Sequence, residues 1–151
     1  GELEHAEQYL IFQKKKTGDR LKYSIQVPKE LHMQKMPSDI LMPFIQNAFY
    51  NGIMLKKEGG EITVTGYMHS GNMFLEINDT GPGLTEEELD IKYEAYKDKH
   101  EGYYIKMGME YAKEKMKRLF GKEYGIITEN YRNKGSKSIL LWPEHYEERT
   151  E

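Results

Sequence analysis

The sequence predicts one domain in which a mixed or antiparallel β-sheet is covered on one face by helices. Two alternating stretches, "GGEITVTGYM" and "NMFLEIND", are joined by "HSGN", which is a hairpin signal. Two more strands are predicted near residues 124–131 and 136–142, and helical periodicity occurs before, between and after the strands. Strands that are grouped and joined by hairpins favour such a sheet with its helices on one side.

The first half of the chain begins with a helix from Leu3 to about Lys16, which Gly18 ends. The stretch "RLKYSIQV" alternates and predicts a strand. A second helix is predicted in "ILMPFIQNAFYNGI", where apolar residues recur at helical intervals and Gly52 lies near the end.

The second half continues after Asp79 with a glycine turn and a short helix, for which Thr85 and Glu88 have the spacing of a capping box. Residues 90–106 are polar and tyrosine-rich without a dominant period, so they are predicted to form a surface loop, and loops of that length are usually functional lids or disordered. The stretch "MGMEYAKEKMKRLFG" predicts the next helix, with its stop at Gly121.

Composition excludes several classes of protein. The 151 residues carry a net charge of -3, which gives no electrostatic case for binding nucleic acid. The absence of cysteine excludes disulfides and thiolate metal sites, and no apolar run approaches the roughly 18 residues that a membrane span needs. The five histidines are scattered, and the chain has no "GxxxxGK", "GxGxxG" or "GxSxG" motif.

Asp79 is the first candidate functional residue. The alternation of "FLEIND" places it on the same strand face as the apolar Leu75 and Ile77, where an unpaired carboxylate is costly. A flat ligand that presents an amine edge would satisfy it, and the glycines at 81 and 83 would let backbone approach that ligand. Alternatively, Asp79 only caps the "TGPG" turn.

The helix that follows residue 40 supplies a second candidate. Asn47 and Asn51 are four residues apart, with Tyr50 beside them, and asparagine is a poor helix former. Their amide oxygens suit a hard cation or a phosphate-bound water. An ordinary solvated helix face is the alternative.

Gly108 is the third candidate, because it is predicted to open the helix after the lid. A helix N-terminus offers free backbone amides and a positive dipole end to phosphate. A flexible hinge that binds nothing is the alternative.

Taken in order, these elements resemble the nucleotide site of the GHKL ATPase superfamily, and most of all the catalytic ATP-binding domain of sensor histidine kinases of the LytS/YesM type. "MPSDILMPFIQNAFYNGI" is similar to the asparagine box, "DTGPGL" to the first glycine box, "MGMEYAKEKMKRLFGKEYGI" to the second, and "KGSKSILLWP" to the closing strand. The resemblance covers nearly the whole chain. It implies a Bergerat-type fold, an α/β (α+β two-layer) sandwich with a mixed sheet, that binds ATP and magnesium.

The resemblance also implies roles for individual residues. Asp79 would accept from the adenine amine with Ser136 near the same water network, Asn47 would ligate magnesium, and Gly108 would bring helix amides to the phosphates. The complete implied nucleotide-binding set is Asn47, Tyr50, Asn51, Asp79, Gly81, Gly83, Leu84, Lys106, Gly108, Met109 and Ser136.

The chain departs from the family pattern at several positions. Gln46 replaces the usual glutamate before the box asparagine and cannot act as a base, and Lys106 replaces the first glycine of the second glycine box. Lys106 either adds a positive charge near the phosphates or replaces a glycine whose positive φ the lid needs. The other departures are Asn51 for histidine, Thr80 for asparagine, Tyr111 for asparagine and Lys115 for arginine.

The expected organisation is a helix over residues 1–18 that leads in from an upstream dimerisation and phosphoacceptor domain, a catalytic domain over 19–146 with a lid at about 85–106, and a tail at 147–151. The implied activity is that of a protein-histidine kinase, which transfers the γ-phosphoryl group of ATP to a histidine on the upstream domain and works with a response regulator. The full-length protein is expected to be a homodimer on the cytoplasmic side of the membrane, and this fragment is expected to be soluble and unable to phosphorylate itself. A degenerate module that acts by protein contacts is the alternative, and an ATP hydrolase is disfavoured by Gln46.

Overall fold

The computed structural model describes residues 1–95 and 101–147. Its main elements, in chain order, are α1 (Glu2–Thr17), β1 (Leu21–Gln26), α2 (Met42–Asn47), β2 (Gly60–His69), β3 (Asn72–Asp79), α3 (Glu86–Ala95), α4 (Glu101–Phe120), β4 (Gly125–Tyr131) and β5 (Gly135–Pro143). Among the described residues, no helix is both long and apolar enough to cross a membrane.

The five strands form one sheet in the order β1-β2-β3-β5-β4. β1 and β2 are parallel, and the other neighbouring pairs are antiparallel. The predicted mixed sheet is therefore confirmed. In the register of the sheet, the end of β3 at Asp79 lies between Ile62 of β2 and Ser136 of β5.

Helices cover one face of this sheet. On β3 the residues Met73, Leu75 and Ile77 are buried against the helices, while the alternate residues are only partly covered. α1, α2 and α4 contribute their own buried apolar side chains to the same core, including Leu10, Phe44 and Met116. On the opposite face Tyr67 and Phe74 stack with ring centroids 4.9 Å apart, and Tyr67 is exposed. The two-layer α/β arrangement is confirmed.

The helix predicted from residue 40 changes its hydrogen-bonding pattern along its length. α2 continues through a wider π-turn at Ala48–Gly52 and a 3-10 turn at Ile53–Leu55. Such single π-turns inside helices frequently occur at functional sites. Asn47 is the last residue of α2 before the wide turn, and Asn51 and Gly52 are the last two residues of the turn.

The prediction of a loop over residues 90–106 was wrong for the part that the structure describes. α3 extends to Ala95 and α4 begins at Glu101, and residues 96–100 lie outside the described residues. The capping box that starts α3 is present, since Thr85 N–H donates to Glu88 Oε1 (3.2 Å) and Glu88 N–H donates to Thr85 Oγ1 (3.1 Å). Residues 90–94 and 104–106 show no obvious apolar period, because their buried side chains are Tyr93 on α3 and Ile105 on α4.

Candidate functional site

Asp79 ends β3 with its side chain on the core face, as the alternation predicted. It is only 8% exposed, and its Oδ1 accepts a hydrogen bond from the Gly81 N–H at 2.9 Å. Burial raises its pKa from 3.8 to about 6, although the backbone N–H groups of Gly81 and Ser136 act in the opposite direction. The carboxylate is therefore predominantly ionised at neutral pH and is held in a poorly hydrated place, where it is a strong acceptor.

Two glycines close over this carboxylate. A Cβ placed on Gly52 would lie 2.7 Å from both Cγ and Oδ1 of Asp79, and a Cβ on Gly81 would lie 2.4 Å from the Cα of Gly52. Only glycine permits these approaches. The space beside Gly81 is thus taken by the chain's own backbone, and its predicted role of leaving room for a nucleotide stays a prediction. Gly52 is a site residue that the sequence analysis missed, and its position directly after Asn51 was the available signal.

Thr80 anchors the end of β3 to its neighbour. Its Oγ1 accepts from the Glu61 N–H at 2.9 Å, and its own N–H donates to the Glu61 carbonyl oxygen at 3.1 Å. The hydroxyl therefore satisfies the backbone of β2, which gives the replacement of the family's asparagine a structural reason. Ser136 lies opposite Asp79 across β3 and β5, and Leu84 is half-buried in the segment after the glycine turn.

Asn47 and Asn51 form the other end of the site, and both contact Tyr93 of α3. Asn51 Nδ2 donates to Asn47 Oδ1 and to the Tyr93 hydroxyl, both at 3.0 Å. The Tyr93 hydroxyl in turn donates to Asn47 Oδ1. Burial raises the pKa of Tyr93, which is 2% exposed, so this hydroxyl keeps its proton at any ordinary pH. The sequence analysis missed Tyr93 because it lies in the stretch that was predicted to be a loop.

A cavity of about 190 Å³ lies beside this cluster, between α3, α4 and β4. Its lining includes Asn47, Tyr93, Lys106 and Met109. Small-molecule pockets are typically about 300–1,000 Å³, so α3 in this position leaves only part of the volume that a nucleotide needs.

Lys106 lies at the mouth of this cavity with its Nζ 3.2 Å from Asp90 Oδ1 of α3. The hydrogen bond that Lys106 donates to the Asp90 carboxylate is the main cause that raises the pKa of Lys106, so the side chain is charged. Its backbone is helical, and Asp39, Ser70 and Asn133 are the non-glycine residues with positive φ in the described part of the chain. The interpretation that Lys106 replaces a glycine with positive φ therefore does not apply to this conformation, and the interpretation that it adds a positive charge near the phosphates stays a prediction.

Gly108 does not open a helix, and that prediction was wrong. α4 begins at Glu101, so the N–H of Gly108 lies beyond the first four amides, which are the ones that a helix leaves unpaired. The glycine instead allows α4 to pack on α2, since a Cβ there would lie 2.9 Å from Cγ of Pro43. Met109, the next residue, is half-buried and lines the cavity.

The remaining predicted and divergent residues lie away from this cavity. Tyr50 packs edge-on against Phe49 and lines a different cavity with Gln46, on the side that faces α1. Lys115 is 6% exposed, and its Nζ donates to the backbone oxygen and the hydroxyl of Ser38, both at 2.8 Å. Its replacement of arginine thus serves the loop before α2 rather than the cavity. Tyr111 is exposed.

The arrangement presents two chemically different ends. The Asp79 end offers one buried acceptor beside backbone that approaches closely, which suits a flat group with an amine edge. The Asn47 end offers amide oxygens and the charged Lys106, which suit a hydrated cation and an anion. Consecutive residues, Asn51 and Gly52, link the two ends. No group of three or more possible His, Cys, Asp or Glu ligands to a metal occurs within residues 1–95 and 101–147, so a cation here would depend on amide and ligand oxygens.

Comparisons with known proteins agree with this architecture. No family model matches the chain. It is 26% identical over 125 residues to the sensor histidine kinase BtsS of Escherichia coli, which covers 83% of this chain and 20% of that protein. It is 23% identical over 142 residues to the sensor protein LytS of Bacillus cereus, which covers 94% of this chain and 24% of that protein. The chain therefore spans about a fifth to a quarter of the length of these relatives.

Solved structures show the same fold. The catalytic domain of histidine kinase ThkA, in a nucleotide-free form, matches with a TM-score of 0.63 at 20% identity, covering 94% of each chain. The mycobacterial sensor histidine kinase MprB matches with a TM-score of 0.56 at 14% identity, covering 93% of each chain. The fold is that of histidine kinase catalytic domains, and the resemblance to the GHKL-type ATP-binding domain of LytS-like sensor histidine kinases is confirmed.

Proposed function

We propose that this chain binds ATP with magnesium and acts as the catalytic domain of a sensor histidine kinase. The observation that carries the proposal is the buried Asp79 carboxylate, which a kinase-like fold holds at the core-facing end of β3 beneath two glycines. Burying a carboxylate costs free energy, and a hydrogen bond from a ligand to Asp79 would offset that cost. In this role Asp79 accepts a hydrogen bond from the adenine amine, and Ser136 lies on the neighbouring strand to support the same network.

The Asn47 end would take the phosphates. A magnesium ion held here would supply positive charge that neutralises the phosphates during phosphoryl transfer. Asn47 supplies an amide oxygen for the cation, and Lys106 supplies a positive charge near the cavity that Asn47 and Met109 also line. The roles of Tyr50, Leu84 and Gly83 toward the nucleotide remain proposals on the same footing.

The reaction would break the bond between the γ-phosphorus and its bridging oxygen and form a phosphorus–nitrogen bond to a histidine, with ADP as the leaving group. We place the acceptor histidine on an upstream domain of the full-length protein, together with dimerisation and membrane attachment, and a response regulator would receive the phosphoryl group. Positioning and charge neutralisation supply most of the catalysis in such transfers. Gln46 replaces the usual glutamate and cannot act as a base, so it would slow a step that needs one.

Titration with a fluorescent ATP analogue tests the proposal most directly. We expect saturable binding that strengthens with magnesium, and competition by unlabelled ATP. Asp39→Asn changes an exposed aspartate in the loop before α2 and is the control for a loss of binding in Asp79→Asn. Absence of saturable binding at millimolar nucleotide, both in wild type and in a variant that releases Asn47 from Tyr93, would contradict the proposal.

A second candidate function is a kinase-like module that acts by protein contacts without turnover. The contact of Tyr93 with Asn47 favours it, because the proposed magnesium ligand is already hydrogen-bonded within the chain. Joining the chain to its own upstream histidine domain and measuring phosphohistidine after incubation with ATP would separate the two functions. Phosphohistidine would exclude the non-catalytic module.

A further inference from the structure

One face of α3 contacts both groups that the proposed function assigns to the phosphate end of the site. Asp90 and Tyr93 are three residues apart on this helix and therefore point the same way. Asp90 pairs with Lys106, and Tyr93 bonds to Asn47. A single helix thus holds the proposed anion-binding and cation-binding side chains at once.

The Tyr93 contact uses the full capacity of the Asn47 amide oxygen. That oxygen has two lone pairs, and it accepts from both Asn51 Nδ2 and the Tyr93 hydroxyl. A cation that needs this oxygen must displace one of these donors. Asn51 lies four residues further along the same helical segment and remains close to Asn47 whatever α3 does, so Tyr93 is the donor that can leave.

The Asp90 contact opposes anion binding in the same conformation. The carboxylate lies 3.2 Å from Lys106 Nζ, where a phosphate oxygen would be expected to lie if Lys106 binds phosphate. A surface pair of this kind contributes little stability by itself. It matters here because Asp90 and Tyr93 are carried by one helix, so displacement of α3 frees both Lys106 and Asn47.

We propose that α3 is an internal competitor for the magnesium-nucleotide site, with the Tyr93 hydroxyl standing in place of the cation at Asn47 and the Asp90 carboxylate in place of phosphate at Lys106. The inference rests on the proposed function. The apparent nucleotide affinity is the intrinsic affinity multiplied by the fraction of molecules in which α3 is not docked. Any contact that draws α3 away therefore raises the apparent affinity. The site is therefore closed by default, and it opens when Tyr93 leaves Asn47.

Tyr93→Phe tests the inference, because it keeps the buried ring and removes only the hydroxyl. Tyr124→Phe is the matched control, since the Tyr124 hydroxyl also donates to an asparagine, Asn72 Oδ1 at 3.1 Å, on a different part of the molecule. We expect Tyr93→Phe to lower the Kd for a fluorescent ATP analogue by about two- to tenfold in the presence of magnesium, the range that one net hydrogen bond covers. The gain should be smaller in EDTA, because the freed oxygen serves the cation and only the release of Lys106 then remains, and Tyr124→Phe should match wild type in both buffers.

Circular dichroism will show whether Tyr93→Phe folds. If it does not fold, a second variant, Asp90→Asn, still tests the inference. Asp90 is exposed, so Asp90→Asn leaves the core intact while it frees Lys106. We expect a smaller gain, about twofold, that persists in EDTA because it acts on phosphate rather than on the cation. Hydrogen exchange supplies a readout that does not depend on affinity. Amides of α3 should exchange faster when wild type binds magnesium-nucleotide.

The possible outcomes separate a failure of the inference from a failure of the proposed function. If wild type binds nucleotide but neither variant binds more tightly, or if α3 becomes more protected on binding, the inference is wrong and the proposed function stands. If wild type fails to bind but Tyr93→Phe binds, both are supported. If neither wild type nor any variant binds at millimolar nucleotide, the proposed function and the inference both fall.

Discussion

The two ends of the candidate site are built in different ways. Asp79 lies on a central strand and accepts a hydrogen bond from the Gly81 N–H. Gly52 and Gly81 pack around it too closely to allow any side chain at their positions. Asn47 is held by side-chain contacts with a helix from the lid segment, 46 residues further along the chain. We call the first the rigid end, because backbone and close-packed glycines surround it, and the second the conditional end, because on our inference it takes this form only while α3 is docked. If the chain binds nucleotide as proposed, recognition would be permanent at the rigid end and conditional at the other.

The largest effect is expected where the rigid end loses its charge. Asp79→Asn replaces an acceptor-only carboxylate by an amide, which removes a charge-assisted bond of about 1.5–3 kcal/mol and can turn an NH2 group toward the adenine amine. Binding of a fluorescent ATP analogue should weaken by about 100-fold or more, beyond detection in an ordinary titration. Asp39→Asn should bind as wild type does. Retained affinity in Asp79→Asn would show that this end does not recognise the ligand.

The same carboxylate should make stability depend on pH. Its pKa of about 6 in the folded protein lies above its ordinary value of 3.8, so the folded state holds the proton more tightly than the unfolded state. The stabilisation is complete below about pH 4 and is lost as the pH rises through about 6, with a limit of about 3 kcal/mol from 1.36 kcal/mol per pH unit.

Urea unfolding of wild type and Asp79→Asn checks this dependence. Between pH 4 and pH 7, the free energy of unfolding of Asp79→Asn should rise relative to that of wild type by up to about 3 kcal/mol. Parallel pH curves for the two proteins would show that the pKa of Asp79 is not raised. A variant that is more stable at neutral pH yet does not bind nucleotide would show that the charge is kept for binding at a cost in stability.

The close packing of the rigid end predicts the next effect. Gly83 has φ +65°, and a Cβ there would lie 2.0 Å from the Tyr131 carbonyl oxygen, whereas Gly71 has φ +77° with nothing within 4 Å. Both alanine substitutions place a side chain at positive φ, which costs about 1–2 kcal/mol. Gly83→Ala should cost about 1–3 kcal/mol more than Gly71→Ala, because the backbone must also move apart. Equal losses of unfolding free energy would show that the turn does not pack on β4 as described.

The smallest effect is expected at the conditional end. Lys106→Gln removes an exposed ion pair, so the free energy of unfolding should change by less than about 1 kcal/mol. Its nucleotide affinity should fall by a few fold, and the difference from wild type should shrink at high salt because exposed charges are screened. Lys57→Gln, at an exposed position on another surface, is the control. Unchanged affinity in Lys106→Gln would remove Lys106 from the site.

Local patterns predicted most of the fold correctly. The first helix was expected from Leu3 to about Lys16 and runs from Glu2 to Thr17, and the strands, the hairpin and the capping box at Thr85 were all found. Each of these depends on neighbours within a few residues. The described parts of residues 90–106 were not predicted correctly, because a polar stretch whose described buried side chains are Tyr93 and Ile105 has no period that local rules can detect.

The candidate site also contains both features that local patterns predict and features that they do not. The sequence alone determined that Asp79 faces the core, because side chains alternate along a strand and Leu75 and Ile77 define the buried face. Only the tertiary structure decided that Gly108 lies inside a helix against Pro43, and that Tyr93 takes the amide oxygen of Asn47. Those contacts depend on how separate helices dock, and the docking is decided by burial of whole side chains across the domain rather than by any local repeat in the chain.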